Sequence, residues 1–190
     1  MSESEWITGR AGMLYRDLTP DSLKSQVIAS HIRLPFDGEV PDYVHYHKVE
    51  FQVIYCLKGR IKVVYEDQGG AFWLEPGDLV VQPPEIRHRV LECEANSEVI
   101  EITMPAEHET WVEHEIKLPT DSVNPEKIFG TQRFVRKIGP KSGRADADFS
   151  KILLAITENM PVEQSINRVI HRIVPAIQKY LTTISSSISS

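Results

Sequence analysis

The stretch His45-Tyr46-His47-Lys48-Val49-Glu50-Phe51-Gln52 decides how this chain reads. Two histidines one residue apart on a strand put both rings on one face, about 7 Å apart along the backbone. At that separation two imidazoles can swing onto one ion, about 2.0–2.1 Å from each nitrogen. Gln52 follows His47 at a distance that lets the chain turn and enter the next strand. A third histidine, His88, stands just after Pro83-Pro84-Glu85, at the head of another apolar run. If the strands close into a small barrel, His45, His47, Gln52 and His88 can point into one cavity. An HxH pair alone is more often solvated or hydrogen-bonded than metallated, so the surrounding frame decides.

That frame is rich in strand signals. Runs dense in Val, Ile, Tyr and Phe cover 26–34, 51–57, 61–66, 72–74, 79–82, 88–92 and 99–104. Asp37-Gly38, Lys58-Gly59, Gly69-Gly70, Pro76-Gly77 and Pro83-Pro84 punctuate them. Many short strands at close spacing predict an all-β sandwich or barrel rather than βαβ units. Lys58-Gly59 between two apolar runs predicts a tight hairpin. After about residue 140 the composition shifts to a linker, and then to Ile/Val stripes at helical spacing, broken by Pro175. The expected division is an N-terminal segment at 1–24, a barrel domain at 25–139, and a linker with C-terminal helices at 140–190.

Composition excludes several classes. A net charge of −6 with no basic run gives no electrostatic footprint for nucleic acid or an anionic membrane. Two cysteines, Cys56 and Cys93, make neither a disulfide framework nor a four-cysteine zinc site. The opening MSESEWITGR lacks the apolar core of a signal peptide, and no run approaches the roughly 18 apolar residues of a membrane span. A cytoplasmic location is the expectation. No Ser–His–Asp set or phosphate-cradling loop stands out, and no catalytic residue is assigned.

The spacing of the central residues carries a resemblance. His45-Tyr46-His47 is followed by four residues, Gln52, six residues and Gly59; later come Gly77, five residues, Pro83, one residue, Glu85, two residues and His88. This resembles the two signature motifs of the cupin family over about residues 25–105. The resemblance implies a cupin jelly-roll β-barrel, here with a helical C-terminal appendage, that holds one divalent ion (Fe, Zn, Mn or Ni). Carried over position by position, the family's ligands fall on His45, His47, Gln52 and His88. Four positions depart from the pattern, among them Gly38, one residue too far from His45 for the family's opening glycine, and Glu92, where the family carries a late asparagine. Gln52 stands where the family carries a glutamate. Glu85 stands where the second motif has a glycine, in a turn that wants positive φ, at a cost of about 1 kcal/mol.

A neutral amide in place of a carboxylate leaves the ion its full charge, which favours an anionic substrate. Alternatively the Gln52 amide hydrogen-bonds inside the barrel and the ion rests on three imidazoles. By resemblance the chain is a metal-dependent enzyme of dioxygenase, isomerase or cyclase type, acting on a small polar or anionic molecule. The other reading is a non-catalytic sensor or binding cupin, with or without metal. Expected partners are that small molecule and a second copy of the chain, a homodimer with the C-terminal helices near its interface. Among the remaining candidates, His31 reads as a structural histidine, and His108 and His114 as exposed residues of a Glu-rich stretch. Cys56 reads as a small buried hydrophobe.

Overall fold

A computed structural model describes residues 5–19, 27–124, 126–129 and 136–138. The C-terminal helices, and the homodimer expected from them, rest on residues outside this set. In chain order the strands are β1 (Ile7–Thr8), β2 (Leu14–Asp17), β3 (Ile28–Leu34), β4 (Gly38–Glu39), β5 (His45–His47), β6 (Phe51–Lys58) and β7 (Ile61–Tyr65). They continue with β8 (Phe72–Leu74), β9 (Leu79–Gln82), β10 (His88–Cys93), β11 (Ser97–Met104), β12 (Thr110–Val112) and β13 (Arg136–Ile138). Seven of them form one antiparallel sheet in the order β1-β2-β3-β11-β6-β9-β13. The second sheet runs β12-β5-β10-β7-β8, with β4 added beside β10. This is an all-β jelly roll: the strand pattern predicts the all-β class, and the resemblance implies the jelly roll.

Both sheets feed one core. Ile32, Leu34, Cys56 and Val99 come from the larger sheet, and Ile61, Val63, Tyr65 and Leu74 from the smaller; all are buried. Each aliphatic side chain of this size contributes about 1.5–3 kcal/mol on burial. Cys56 is such a core residue, as expected. The N-terminal stretch joins the same fold, because β2 pairs with β3 from Leu14↔Arg33 to Asp17↔Ser30.

The Lys58-Gly59 turn is present, but the predicted hairpin is not. β6 pairs with β9 and β11, whereas β7 pairs with β8 and β10, so the chain changes sheets at this corner. Gly59 makes the crossing with φ +63, and a Cβ there would meet the Ser97 hydroxyl and sit 3.0 Å from the Ser97 Cα. Ser97 Oγ is itself committed: it accepts from the Arg60 N–H at 3.0 Å and donates to the Glu94 carbonyl at 2.7 Å. Gly59→Ala is therefore expected to destabilise the domain by about 2 kcal/mol or more, left-handed strain and clash together. An unchanged denaturant midpoint would show that the corner is looser than this.

Glu85 behaves as its place in the second motif predicts. It holds φ 57, the left-handed conformation a glycine would take without strain. Its N–H donates to the His47 carbonyl at 3.1 Å, which ties this turn to β5. Glu85→Gly is expected to raise the melting temperature by the equivalent of up to about 1 kcal/mol. A lower melting temperature would mean that the glutamate side chain contributes more than its backbone strain costs.

Candidate metal centre

β5 and β10 are neighbours in the smaller sheet, with His88 directly opposite His45. The pleat sends the rings of His45 and His47 to the same face. The three imidazoles converge: ring centroids are 5.1 Å apart for His45–His47, 4.2 Å for His45–His88 and 5.3 Å for His47–His88. One ring nitrogen from each lies within 4.8 Å of the others, and all three residues are buried.

Each ring is held through Nδ1. His45 Nδ1–H donates to the Tyr43 carbonyl at 2.9 Å, and His88 Nδ1–H donates to the Ile86 carbonyl at 2.9 Å. His47 Nδ1 pairs with the Thr110 hydroxyl on β12 at 2.8 Å. The carbonyl partners leave the lone pairs of His45 and His88 on Nε2, and His47 takes the same form when its Nδ1–H donates to the Thr110 hydroxyl, the arrangement that outer hydrogen bonds impose on metal-ligating histidines. The Nε2 atoms of His45 and His47 are buried without a partner among the described residues. An unsatisfied buried acceptor costs about 1–3 kcal/mol. Two of them aimed into one cluster fit an ion well and fit an apolar core badly.

The electrostatics keep the rings neutral. Burial pushes His45 down to about 2, with the nearby Arg10 charge acting in the same direction. Burial likewise pushes His47 down to about 4, although the Glu101 carboxylate works against it. His88 lies well below the ordinary histidine value, through burial and then through its two histidine neighbours. Neutral imidazole is the form that binds metal.

The facing sheet supplies a second set of polar groups. Gln52 on β6 and Gln82 on β9 are cross-strand partners, and both are fully buried. Gln82 Nε2 donates to Gln52 Oε1 at 2.9 Å and reaches His88 Nε2 at 3.2 Å. Since His88 Nδ1 already donates to Ile86, only Nε2 can accept from Gln82. Gln52 Nε2 in turn donates to Glu101 Oε1 on β11 at 2.7 Å. A continuous relay thus runs from Glu101 through Gln52 and Gln82 to His88. Gln52 lies inside the barrel beside the histidine cluster, with both ends of its amide hydrogen-bonded.

Other histidines fall elsewhere. His31 bonds to Glu98 at 2.8 Å and meets Arg16 at 3.1 Å, so it is structural. His114 is exposed. His108 corrects the expectation of exposure: it is half-buried, with its ring centroid 5.8 Å from that of His47. The pairing of β12 with β5 brings the middle of this Glu-rich stretch against the site.

A small cavity of about 40 Å³ adjoins His88. His88, Tyr65, Glu101 and Arg10 line it, with apolar side chains from both sheets. The Tyr65 hydroxyl is buried without a partner among the described residues. Burial and the Glu101 charge raise the pKa of that phenol, so it stays a donor at neutral pH. Gln82, Glu101 and Tyr65 escaped the reading of the sequence, because none belongs to either histidine motif.

A family profile described as cupin domain matches residues 31–103. Residues 31–103 are a cupin domain. The match contains all three histidines and both strands of the glutamine pair. No curated protein matches the chain. Among solved structures, a single-site variant of oxalate decarboxylase from B. subtilis aligns at 18% identity and a TM-score of 0.47, covering 59% of this chain and 31% of that one. A two-residue deletion variant of the Bacillus subtilis enzyme aligns at 19% identity and a TM-score of 0.46, covering 58% and 30%. A structure from work on the Mn(II) centres of that enzyme aligns at 20% and 0.43, covering 54% and 28%. The chain therefore spans about a third of the length of these structures or less. Among the described residues, no helix is long and apolar enough to cross a membrane.

Proposed function

We propose that this cupin domain binds one divalent ion on His45, His47 and His88 and uses it to act on a small polar or anionic molecule. The observation that carries the reading is the convergence of three neutral imidazoles, two with buried and unpartnered Nε2 atoms. An ion held there would supply Lewis acidity toward an oxygen of the ligand. The chain's own residues do the rest. Apolar side chains of the cavity exclude water from the ligand. The Tyr65 hydroxyl, a donor without a partner, is placed to hydrogen-bond a ligand oxygen beside His88, on which its ring stacks at 5.7 Å. Arg10 lends positive charge to the same cavity while pairing with Asp42 at 3.2 Å. The reaction we favour is of dioxygenase, isomerase or cyclase type.

Metal analysis of the purified protein tests the site, and oxygen uptake or product analysis with a panel of small acids and diketones tests the chemistry. One equivalent of ion with turnover of any of these compounds supports the reading. Absence of bound metal after loading with Fe, Zn, Mn and Ni overturns it. A second reading, a cupin that binds its ligand without turnover, is favoured by the Gln82 amide, which satisfies His88 Nε2 with no ion needed. Ligand-induced thermal stabilisation without product formation would select it.

A further inference from the structure

The family motif places a glutamate where this chain has Gln52, yet a carboxylate stands one hydrogen bond further out. Glu101 and Gln52 sit on adjacent strands: the Cα partner of Gln52 is Thr103, and that of Glu101 is Ile54. They are diagonal neighbours on one face of the sheet, within reach of long side chains. Glu101 Oε1 accepts from Gln52 Nε2 at 2.7 Å. Among the described residues no cation pairs with this half-buried carboxylate. It lines the same cavity as His88, and its charge reaches His47.

An amide has one ligating atom, its oxygen, and can face a site either way round. The bond to Glu101 fixes the choice, because a carboxylate accepts only from the nitrogen end. The oxygen end then faces Gln82, whose Nε2 donates to it at 2.9 Å and itself lies 3.2 Å from His88 Nε2. Glu101 also supplies the negative charge that a divalent ion would otherwise lack in this site.

We infer that Glu101 is a positioning residue and the displaced carboxylate of the metal site, orienting the Gln52 oxygen toward the imidazoles and balancing the ion's charge through the amide. This inference rests on the metal reading above. It predicts that the charge can be moved: Gln52→Glu with Glu101→Gln returns the carboxylate to the inner position at constant net charge.

The test is Mn(II) and Zn(II) titration into metal-free full-length protein, with thermal melts of each metal-free variant alongside. E101Q keeps an acceptor for Gln52 Nε2 but removes the charge. Its metal affinity is expected to fall about tenfold or more, while its metal-free melting temperature holds or rises, since an unpaired carboxylate has gone. The double variant Q52E/E101Q is expected to bind at least as tightly as wild type. A purely structural Glu101 gives another pattern: a lower metal-free melting temperature with affinity unchanged, which overturns the inference and leaves the metal site standing. Should E101Q not fold, the double variant decides: affinity tenfold or more below wild type overturns the inference, and wild-type affinity or better supports it. A wild-type protein that takes up neither ion overturns the metal reading, and this inference with it.

Discussion

His47→Ala is expected to lower metal affinity by at least about a hundredfold. Loss of a residue that only hydrogen-bonds a ligand costs 10–100-fold in characterised metal sites, and loss of a ligand costs at least as much. His47 is the ring to choose, because its Nε2 is one of the two unpartnered acceptors and its Nδ1 is held by a single side chain, Thr110. Elemental analysis after exhaustive dialysis gives the occupancy, and competition with a chelator gives the affinity. Thr110→Val is expected to fall between this variant and wild type, near a tenfold loss, because it frees the ring without removing it. His31→Ala is the control, with metal content unchanged, since His31 is occupied by Glu98 and Arg16 on a different strand. Wild-type affinity in His47→Ala would sink the three-histidine site.

The second large effect is on stability against acid. His45, His47 and His88 are all depressed below the ordinary value of 6.5, His45 to about 2 and His47 to about 4. In the window from 6.5 downward the unfolded chain binds protons that the folded chain refuses. Stability is thus complete above about pH 6.5 and lost as the pH falls below it. One imidazole kept neutral costs about 1.4 kcal/mol at pH 5.5 and about 2 kcal/mol at pH 5. His45 and His47 together reach about 4 kcal/mol at pH 5, and His88 adds to them in the same direction, a large part of the stability of an ordinary domain. Asp42, raised by burial, works in the opposite sense, since a folded state that holds its proton more tightly gains as the pH drops. The metal-free protein is expected to melt at least about 10 °C lower at pH 5.5 than at pH 7.5. Bound ion should shift the loss to lower pH, because metal competes with protons for the same lone pairs. Melts in the presence of chelator check this. A flat melting temperature across that range would show that the imidazoles titrate as if exposed.

The histidines were legible because their geometry is local. An HxH pair shares a face through the pleat of one strand, and His88 follows a turn whose backbone demand is written at Glu85. The glutamine–glutamate relay was not legible. Gln52, Gln82 and Glu101 meet only through the pairing of β6 with β9 and β11, and a slip of one residue in either ladder would turn their side chains to the other face. Tyr65 reads as an ordinary strand aromatic until its place opposite His88 is known. The Lys58-Gly59 error has a related cause. Two apolar runs and a tight turn look alike whether the second run folds back on the first or crosses to another sheet. His108 was misread because its acidic neighbours look like a solvated loop, while the short β12 carries them onto β5.

The imidazoles belong to one leaf of the sandwich, and the amides and the carboxylate to the other. An ion held by the imidazoles and balanced from the facing leaf would act as a rivet through the thickness of the barrel. Loading the site and clamping the leaves would then be one mechanical event, and the ion would leave only when the sandwich breathes. Amide hydrogens of β5 and of β6, strands in different sheets, should then slow their exchange with solvent together when metal is added, although the backbone ladder does not join them.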